Sequence, residues 1–470
     1  LWTARFAVEV EFACYCATLY NLNEAIMVDL QNGLIALVSV TVVLGIMILV
    51  HEWGHFVAAK LAGVRVEVFS FGFGARIFGV KRGDTDYRLS ALPFGGYVRM
   101  AGDNPVEERT GAPYEFLSKP RWVRVLIAIA GPAMNILLAF LIFWGIFWLK
   151  GVPEPEYLQQ TPQVAAMPQK PPIATGIQAG DRIVAVNGVK TPTWDKVFEQ
   201  IAKAKPGSSA EITVIRNNAE QTFTVPVASV KSDAFNVLGY PSMAPVADEI
   251  AIGFPAEKAG MRPGDTIVSI NGKPVATWPQ LVEVVRASEG RPINFVVRRN
   301  GQEIPLEITP THGLGSDGES VWQIGVSPRT NDTYHRQGLV ASVRDAGMAT
   351  VGGMRQIFDV LAGLFTGKVS IRQLQSVVGI ARESGRAAKG GPMRLVEFMA
   401  IISLNLGLLN LLPIPILDGG HVLMLAIEGA LRRDLSVTVK ERFVQVGLVF
   451  LLGIFGFVMY SDILKLIQHH

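Results

Sequence analysis

The chain has 470 residues, of which 49% are hydrophobic and only 18% charged, and its formal net charge is +3. That length allows two or more domains, and the apolar excess falls in blocks, as in a membrane protein. So small a net charge, without a basic tract interleaved with aromatics, gives no ground for a nucleic-acid partner, and none is expected.

Leu1 to Ile26 carry Glu9, Glu11 and Glu24 and lack the basic start and small-residue cleavage site of a signal peptide. They read as an upstream extension ahead of Met27, with no function assigned. The two cysteines, Cys14 and Cys16, stand too close for an ordinary disulfide and lack the partners of a zinc knuckle. Any exported domain must therefore be stable through its core alone.

The first uncharged run is Leu34 to Val50, 17 residues, and predicts a transmembrane helix over about 34–58. Between it and the next run, residues 64–101 contain "VEVFSFGFGARIFGV" and "TDYRLSALPFGGYVRM". Alternating apolar residues with glycine at bends predict a β-hairpin. Polar backbone cannot face lipid unpaired, so the hairpin must pair with itself and with something else, and its outer edge could accept a substrate strand. Val125 to Leu149 follows, 25 residues without a charge. The C-terminal runs are Phe398 to Leu417, of 20 residues, and Phe443 to Ser461, of 19. A hydrocarbon core of ~30 Å takes roughly 17–25 apolar residues in helix, so all four runs qualify as spans. Residues 60–124 hold eleven Lys or Arg, the loop after the third run holds Arg432, Arg433, Lys440 and Arg442, and residues 28–33 hold none. Basic loops face the cytoplasm, which leaves the long middle section, about 151–392, in the periplasm of a bacterium.

That middle section repeats itself. "TGIQAGDRIVAVNGVKTPTW" ends at Trp194 and "AGMRPGDTIVSINGKPVATW" ends at Trp278, with Gly180/Gly264, Asp181/Asp265 and Asn187/Asn271 in the same 84-residue register. Each copy predicts turn, strand, short helix and hairpin, with Gly-Asp and Asn-Gly supplying the reversals. The pattern resembles bacterial PDZ domains over about 160–312, in two copies at 160–239 and 240–312. The first departs at its start, where Gln169, Lys170, Pro171 and Pro172 stand in place of the second copy's "GFPA". PDZ domains bind extended peptides as an added strand, so peptide binding or substrate gating is expected here; stable spacers are the plainer reading. Residues 337–392 hold amphipathic pieces that fit either a membrane-surface helix or a helix packed on the second PDZ-like domain.

The chemistry concentrates in "HEWGH", His51 to His55. His51 and His55 are one helical turn apart, so their imidazoles leave one face, and Glu52 between them is the candidate general base for a water. The plain alternative is a polar helix end reaching the headgroups. Ionisable groups beside a span are costly and usually functional, and a catalytic zinc needs a third protein ligand. Asp418 offers one: it follows the third apolar run, and Pro413 and Pro415 break the helix just before it. At 1.5 Å per residue, Leu34 to His51 is ~26 Å, close to the cytoplasmic face of the core.

HExxH in the first span, with "NLLPIPILDG" (Asn410 to Gly419) in the third, resembles the site-2 protease family of intramembrane zinc metalloproteases. "SFGFGARIF", "LPFGGYVRM", "AGPAMN" and the tandem PDZ insert resemble its Gram-negative branch over about 27–467. The resemblance implies zinc held by His51, His55 and Asp418, with Glu52 as catalytic base. It implies Gly72, Phe73 and Gly74 in a substrate-clamping hairpin, and Asn410, Pro413 and Pro415 positioning unwound substrate. It also implies a tandem PDZ size filter and single-span substrates: a trimmed anti-sigma factor of the extracytoplasmic stress response, and remnant signal peptides. Many relatives carry Ser-Gly-Pro where this chain has Ser376 to Ile380, which makes the connecting segment the least transferable part.

The expected architecture is a polytopic α-helical inner-membrane protein with four transmembrane helices, a membrane-associated β-hairpin and two periplasmic PDZ-like α+β domains. Its membrane core would comprise 27–150 and 393–470. The rival functions are a non-catalytic membrane-anchored PDZ adaptor for exported peptides, which would not need the Glu52 carboxylate, and a zinc transporter or sensor, which would need more intramembrane ligands than the chain offers.

Overall fold

The computed structural model describes residues 2–104, 110–169, 171, 173–205, 208–232, 234–251, 253–314, 320–329, 332–367 and 377–467, with side chains described from Gln31 onward. The upstream extension, both cysteines, Lys170, Pro172 and Ser376 lie outside the described side chains. The chain forms two compact units. One comprises Leu1–Leu149, Gly338–Phe358 and Leu374–His470; the other comprises Lys150–Gln337 and Asp359–Gln373.

The first unit begins with α1 (Trp2–Leu61). β1 (Val66–Arg82) and β2 (Thr85–Met100) follow, then α2 (Arg121–Leu149). After the second unit come α3 (Leu339–Phe365) and α4 (Val377–Lys389). The chain ends with α5 (Pro392–Asn410), α6 (Asp418–Leu431) and α7 (Val437–Ile467). Among the described residues, three helical stretches are long and apolar enough to cross a membrane: Gln31–Leu61, Arg121–Leu149 and Pro392–Asn410. The fourth predicted run lies within α7, partly outside the described side chains.

Two predicted elements differ in shape. The third span, expected over 398–417, begins earlier and ends at Asn410. Pro413 and Pro415 cannot donate to the ladder and bias the preceding residues away from helix, so 411–417 form a non-helical turn instead. The hairpin is folded on itself. Val66 to Phe71 pair with Met100 to Gly96, and Arg76 to Arg82 pair with Ser90 to Thr85. Val68 to Phe71 also lie beside Asp86 to Leu89, with both numbers rising together. The bends fall at Gly72, Gly74 and Gly95, whose φ values of +89°, +88° and +122° are open to glycine. The result is a four-segment sheet in which Gly96 to Met100 form one edge.

A small apolar core of Ala59, Val64, Val66 and Ile127 fastens the end of α1, the start of β1 and α2 together. Both amphipathic helices meet the apolar helices of the first unit. A Cβ on Gly353 of α3 would come within 2.7 Å of Leu404 of α5, and one on Gly385 of α4 within 3.0 Å of Ala36 of α1.

The second unit holds the two repeats, and their sheets have the same order. In the first it is Val189–Lys190, Arg182–Val186, Ser209–Arg216, Ala219–Pro226; in the second, Lys273–Pro274, Thr266–Ile270, Ile293–Arg299, Gln302–Ile308. Each packs a helix against its own core, Trp194–Lys203 in one and Trp278–Arg286 in the other. Trp194 and Trp278 are buried at the helix starts, and Thr193 and Thr277 cap them. The second core takes in Ile324, beyond the repeated segment. Glu283 of the second repeat accepts from the Gln169 amide of the first repeat at 2.9 Å and from the Tyr240 hydroxyl, at the junction of the two copies, at 3.3 Å.

A fully buried aspartate anchors each copy. Arg216 donates to Asp181 through two nitrogens at 2.7 Å, and Arg299 grips Asp265 at 2.8 and 2.7 Å. Burial raises the Asp265 carboxyl, but the Arg299 fork and the Arg262 amide outweigh it and hold the group below the ordinary carboxylate range. Its stabilising contribution is therefore complete above that range and fades as pH falls through and below it. Asp265→Asn is expected to destabilise the second repeat by about 1–3 kcal/mol at neutral pH, with the difference from wild type shrinking in acid. Amide hydrogen exchange of Thr266–Ile270 at a series of pH values measures this.

Candidate active site

The site forms where α1, α2, the edge of β2 and the start of α6 meet. Helical spacing in α1 puts His51 and His55 on one face, with Nε2 atoms 3.2 Å apart. Asp418, the first residue of α6, brings Oδ2 to 3.0 Å from His51 Nε2 and Oδ1 to 3.5 Å from His55 Nε2. One donor atom from each of the three lies within 4.8 Å of the others. Two imidazoles and a carboxylate are the donor set of a catalytic zinc, and three protein ligands leave a coordination position open. The tautomer also fits. His55 Nδ1 lies 2.8 Å from the Ile127 carbonyl, so its N–H donates there and leaves the Nε2 lone pair for a metal.

The local sequence explains why the histidines can sit so deep. "AGPAMN" occupies α2 where it crosses α1. A Cβ on Gly131 would fall 2.3 Å from His55 Nε2, and a Cβ on Gly54 would fall 2.3 Å from the Ala130 carbonyl oxygen. Neither position has room for a side chain. The 411–417 turn is equally tight over the start of α6. A Cβ on Gly419 would lie 2.2 Å from the Leu411 carbonyl oxygen, and one on Gly420 2.3 Å from that of Ile414. Ile416, a β-branched residue, holds φ at +84° in this turn, a conformation such residues rarely adopt.

A cavity of about 370 Å³ opens on the cluster, lined among others by Glu52, Tyr97, Val98, Asn410 and His421. Glu52 and Val98 line it side by side, and Gly96 leaves the carboxylate room: a Cβ there would be 3.2 Å from the Glu52 Cγ. The edge of β2 thus runs directly beside the candidate base.

Of the residues singled out from sequence, His51, Glu52, His55, Asn410 and Asp418 come together around this cavity. Asn410 Nδ2 lies 3.5 Å from His51 Nε2. Pro413 and Pro415 do not line the cavity; they shape the turn, and Ile416 and Leu417 line it in their place. Gly72 and Gly74 are bends rather than lining groups. Phe73 reaches the site indirectly by stacking on Tyr97, with ring centroids 6.1 Å apart. Sequence reasoning missed Tyr97, Val98, Asn135 and His421. Asn135 carried a signal, since Ile127, Gly131 and Asn135 are four residues apart and form one stripe of α2. His421 stands one helical turn after Asp418.

A His–Glu–His–Asp constellation inside apolar helices defines a zinc metalloprotease of the site-2 type. The sequence profile of peptidase family M50 matches residues 39–454, and the chain belongs to that family. It is 32% identical over 452 residues to the regulator of sigma-E protease RseP of Salmonella typhimurium, spanning 92% of this chain and 98% of that protein. Its identity to the Escherichia coli K12 protein of the same name is 31% over 452 residues, 92% of this chain and 98% of that one. A Vibrio cholerae protein named putative zinc metalloprotease is 31% identical over 468 residues, 94% of this chain and 100% of that protein.

Gly131→Ala is expected to push the His55 ring from the cluster and lower the zinc-to-protein ratio and the proteolytic rate together. Metal analysis of the purified variant measures the first and a cleavage assay the second.

Proposed function

We propose that this chain hydrolyses a peptide bond inside the transmembrane segment of single-span membrane proteins. The observation that carries the proposal is the joining of the His51, His55 and Asp418 donors, beside Glu52, to an open strand edge within a helical membrane core. Zinc, when bound by His51, His55 and Asp418, supplies Lewis-acid polarisation of the scissile carbonyl and acidifies water. Glu52 takes the proton of the attacking water and passes it to the departing amine nitrogen. Asn410 holds the substrate backbone by its amide, while Pro413 and Pro415 keep the neighbouring turn in shape.

A helical substrate hides its carbonyls in its own hydrogen bonds and must unwind first. Gly96 to Arg99 offer an extended backbone against which an unwound segment pairs, the mode by which sheet edges capture peptides. Gly72 and Gly74 bend β1 so that Phe73 braces Tyr97 along that edge, completing the clamp.

In the same reading the chain lies in the bacterial inner membrane with four spans, the fourth in α7. The spans belong to the 27–150 and 393–470 membrane core, and the basic loops face the cytoplasm. Residues 160–239 and 240–312 are periplasmic PDZ-like domains. Their peptide grooves act as a filter against substrates with untrimmed periplasmic parts. By likeness to the relatives named for sigma-E regulation, the substrate is a trimmed anti-sigma factor, and remnant signal peptides are a second class.

Glu52→Gln is expected to keep zinc and to lower cleavage of a single-span substrate by about 10²–10⁴-fold, the usual worth of a general base. Metal analysis and cleavage by the same purified sample check it; a fully active Glu52→Gln protein would favour a non-catalytic peptide adaptor. Removal of residues 160–312 is expected to admit untrimmed substrate, read as the ratio of cleavage rates for untrimmed and trimmed forms.

A further inference from the structure

Asn135 is fully buried in α2, and the reading above gives it no role. Its Nδ2 lies 3.3 Å from Nδ1 of His51, while its Oδ1 is buried with no hydrogen-bond partner among the described residues. Leaving such an oxygen unpaired costs about 1–3 kcal/mol, so its position calls for a cause. The other ring nitrogen of His51, Nε2, faces Asp418 at 3.0 Å and His55 at 3.2 Å. A neutral imidazole carries one proton, on one nitrogen only. If Nε2 offers its lone pair to zinc, the proton sits on Nδ1 and requires an acceptor opposite. Turning the Asn135 amide half a revolution about its terminal bond exchanges oxygen and nitrogen at no steric cost. The oxygen then meets Nδ1–H, and the NH2 group takes the position the oxygen held.

We infer that Asn135 is a positioning residue of the metal centre: its Oδ1 accepts from Nδ1–H of His51 and holds the ring with Nε2 toward zinc. The inference rests on the assignment of His51 as a zinc ligand. The residue is held from the far side through its main chain: Ser403 of α5 donates to the backbone carbonyl of Asn135 at 2.8 Å, and α5 approaches so closely at Gly407 that a Cβ there would lie 3.3 Å from the Asn135 Cβ. Ile127 does the equivalent service for His55 through its backbone carbonyl. One stripe of α2 thereby sets both imidazoles, and α5, which leads to Asp418, pins that stripe.

The test compares zinc affinity in the full-length, detergent-solubilised protein by competition with a chromophoric chelator, for wild type, His51→Ala, Asn135→Leu and Asn135→Asp. Loss of the outer partner of a metal-bound histidine weakens binding by roughly 10–100-fold, the effect expected for Asn135→Leu, which has similar volume and no acceptor. Asn135→Asp keeps an acceptor oxygen and is expected within about threefold of wild type. A purely packing role would not separate the two variants in this order. Wild-type affinity in Asn135→Leu, or equal weakening in Asn135→Asp, overturns the inference. Failure of His51→Ala to weaken zinc binding overturns the ligand assignment beneath it instead. Should Asn135→Leu not fold, Asn135→Ala replaces it in the same comparison.

Discussion

The near contact of α1 and α2 at Gly54 and Gly131 is the constraint on which the rest of the membrane unit depends. Between helices in lipid no water is released, so association relies on close packing through small residues. Here the closeness also serves chemistry. It brings the Ile127 carbonyl within reach of His55 and the Asn135 amide within reach of His51. Buried imidazoles without such partners would cost more than the packing returns. A side chain at either glycine would separate the helices and remove the partners at the same time.

The second half of the donor set comes from an interruption rather than from a regular helix. Pro413 and Pro415 end α5, and the chain turns through the left-handed Ile416 to restart as α6 with Asp418 as its first residue. A carboxylate in the first turn of a helix is favoured by the exposed amides and the helix dipole. Protein covers part of the interruption: Gly419 and Gly420 lie under the turn, and Gly447 of α7 lies against Pro415. The β1–β2 sheet is folded on itself. Its inner segments are paired on both sides, and one of its two edges runs beside Glu52.

The repeat unit shows how two similar domains are made stable without disulfides. Each sets one buried aspartate against an arginine on the neighbouring strand, Asp181 with Arg216 and Asp265 with Arg299. The same arginines also donate to the carbonyls of Gly176 and Gly260, so each pair ties the Gly-Asp turn to the hairpin. The first repeat's altered entry segment leans on the second through the bond from Gln169 to Glu283, which makes the two copies neighbours rather than independent beads.

The amino-acid sequence alone determined the patterns that repeat or stand at fixed spacing. These were the apolar runs, the 84-residue register of the repeats, HExxH on one helical face and the proline-broken approach to Asp418. Such features follow from local periodicity and backbone chemistry, which a linear chain displays. Only the tertiary structure decided what meets across elements. It folded the expected hairpin into four segments, ended the third span at Asn410, laid the amphipathic helices against the membrane helices and placed Ile416 rather than the prolines on the cavity wall. It also turned Gly131 and Asn135 from an unexplained motif into the seat of the histidines. The physical reason is that a contact between α1 and α2 depends on which faces are pressed together and how closely. That is set by the packing of the whole core, and no spacing within either helix records it.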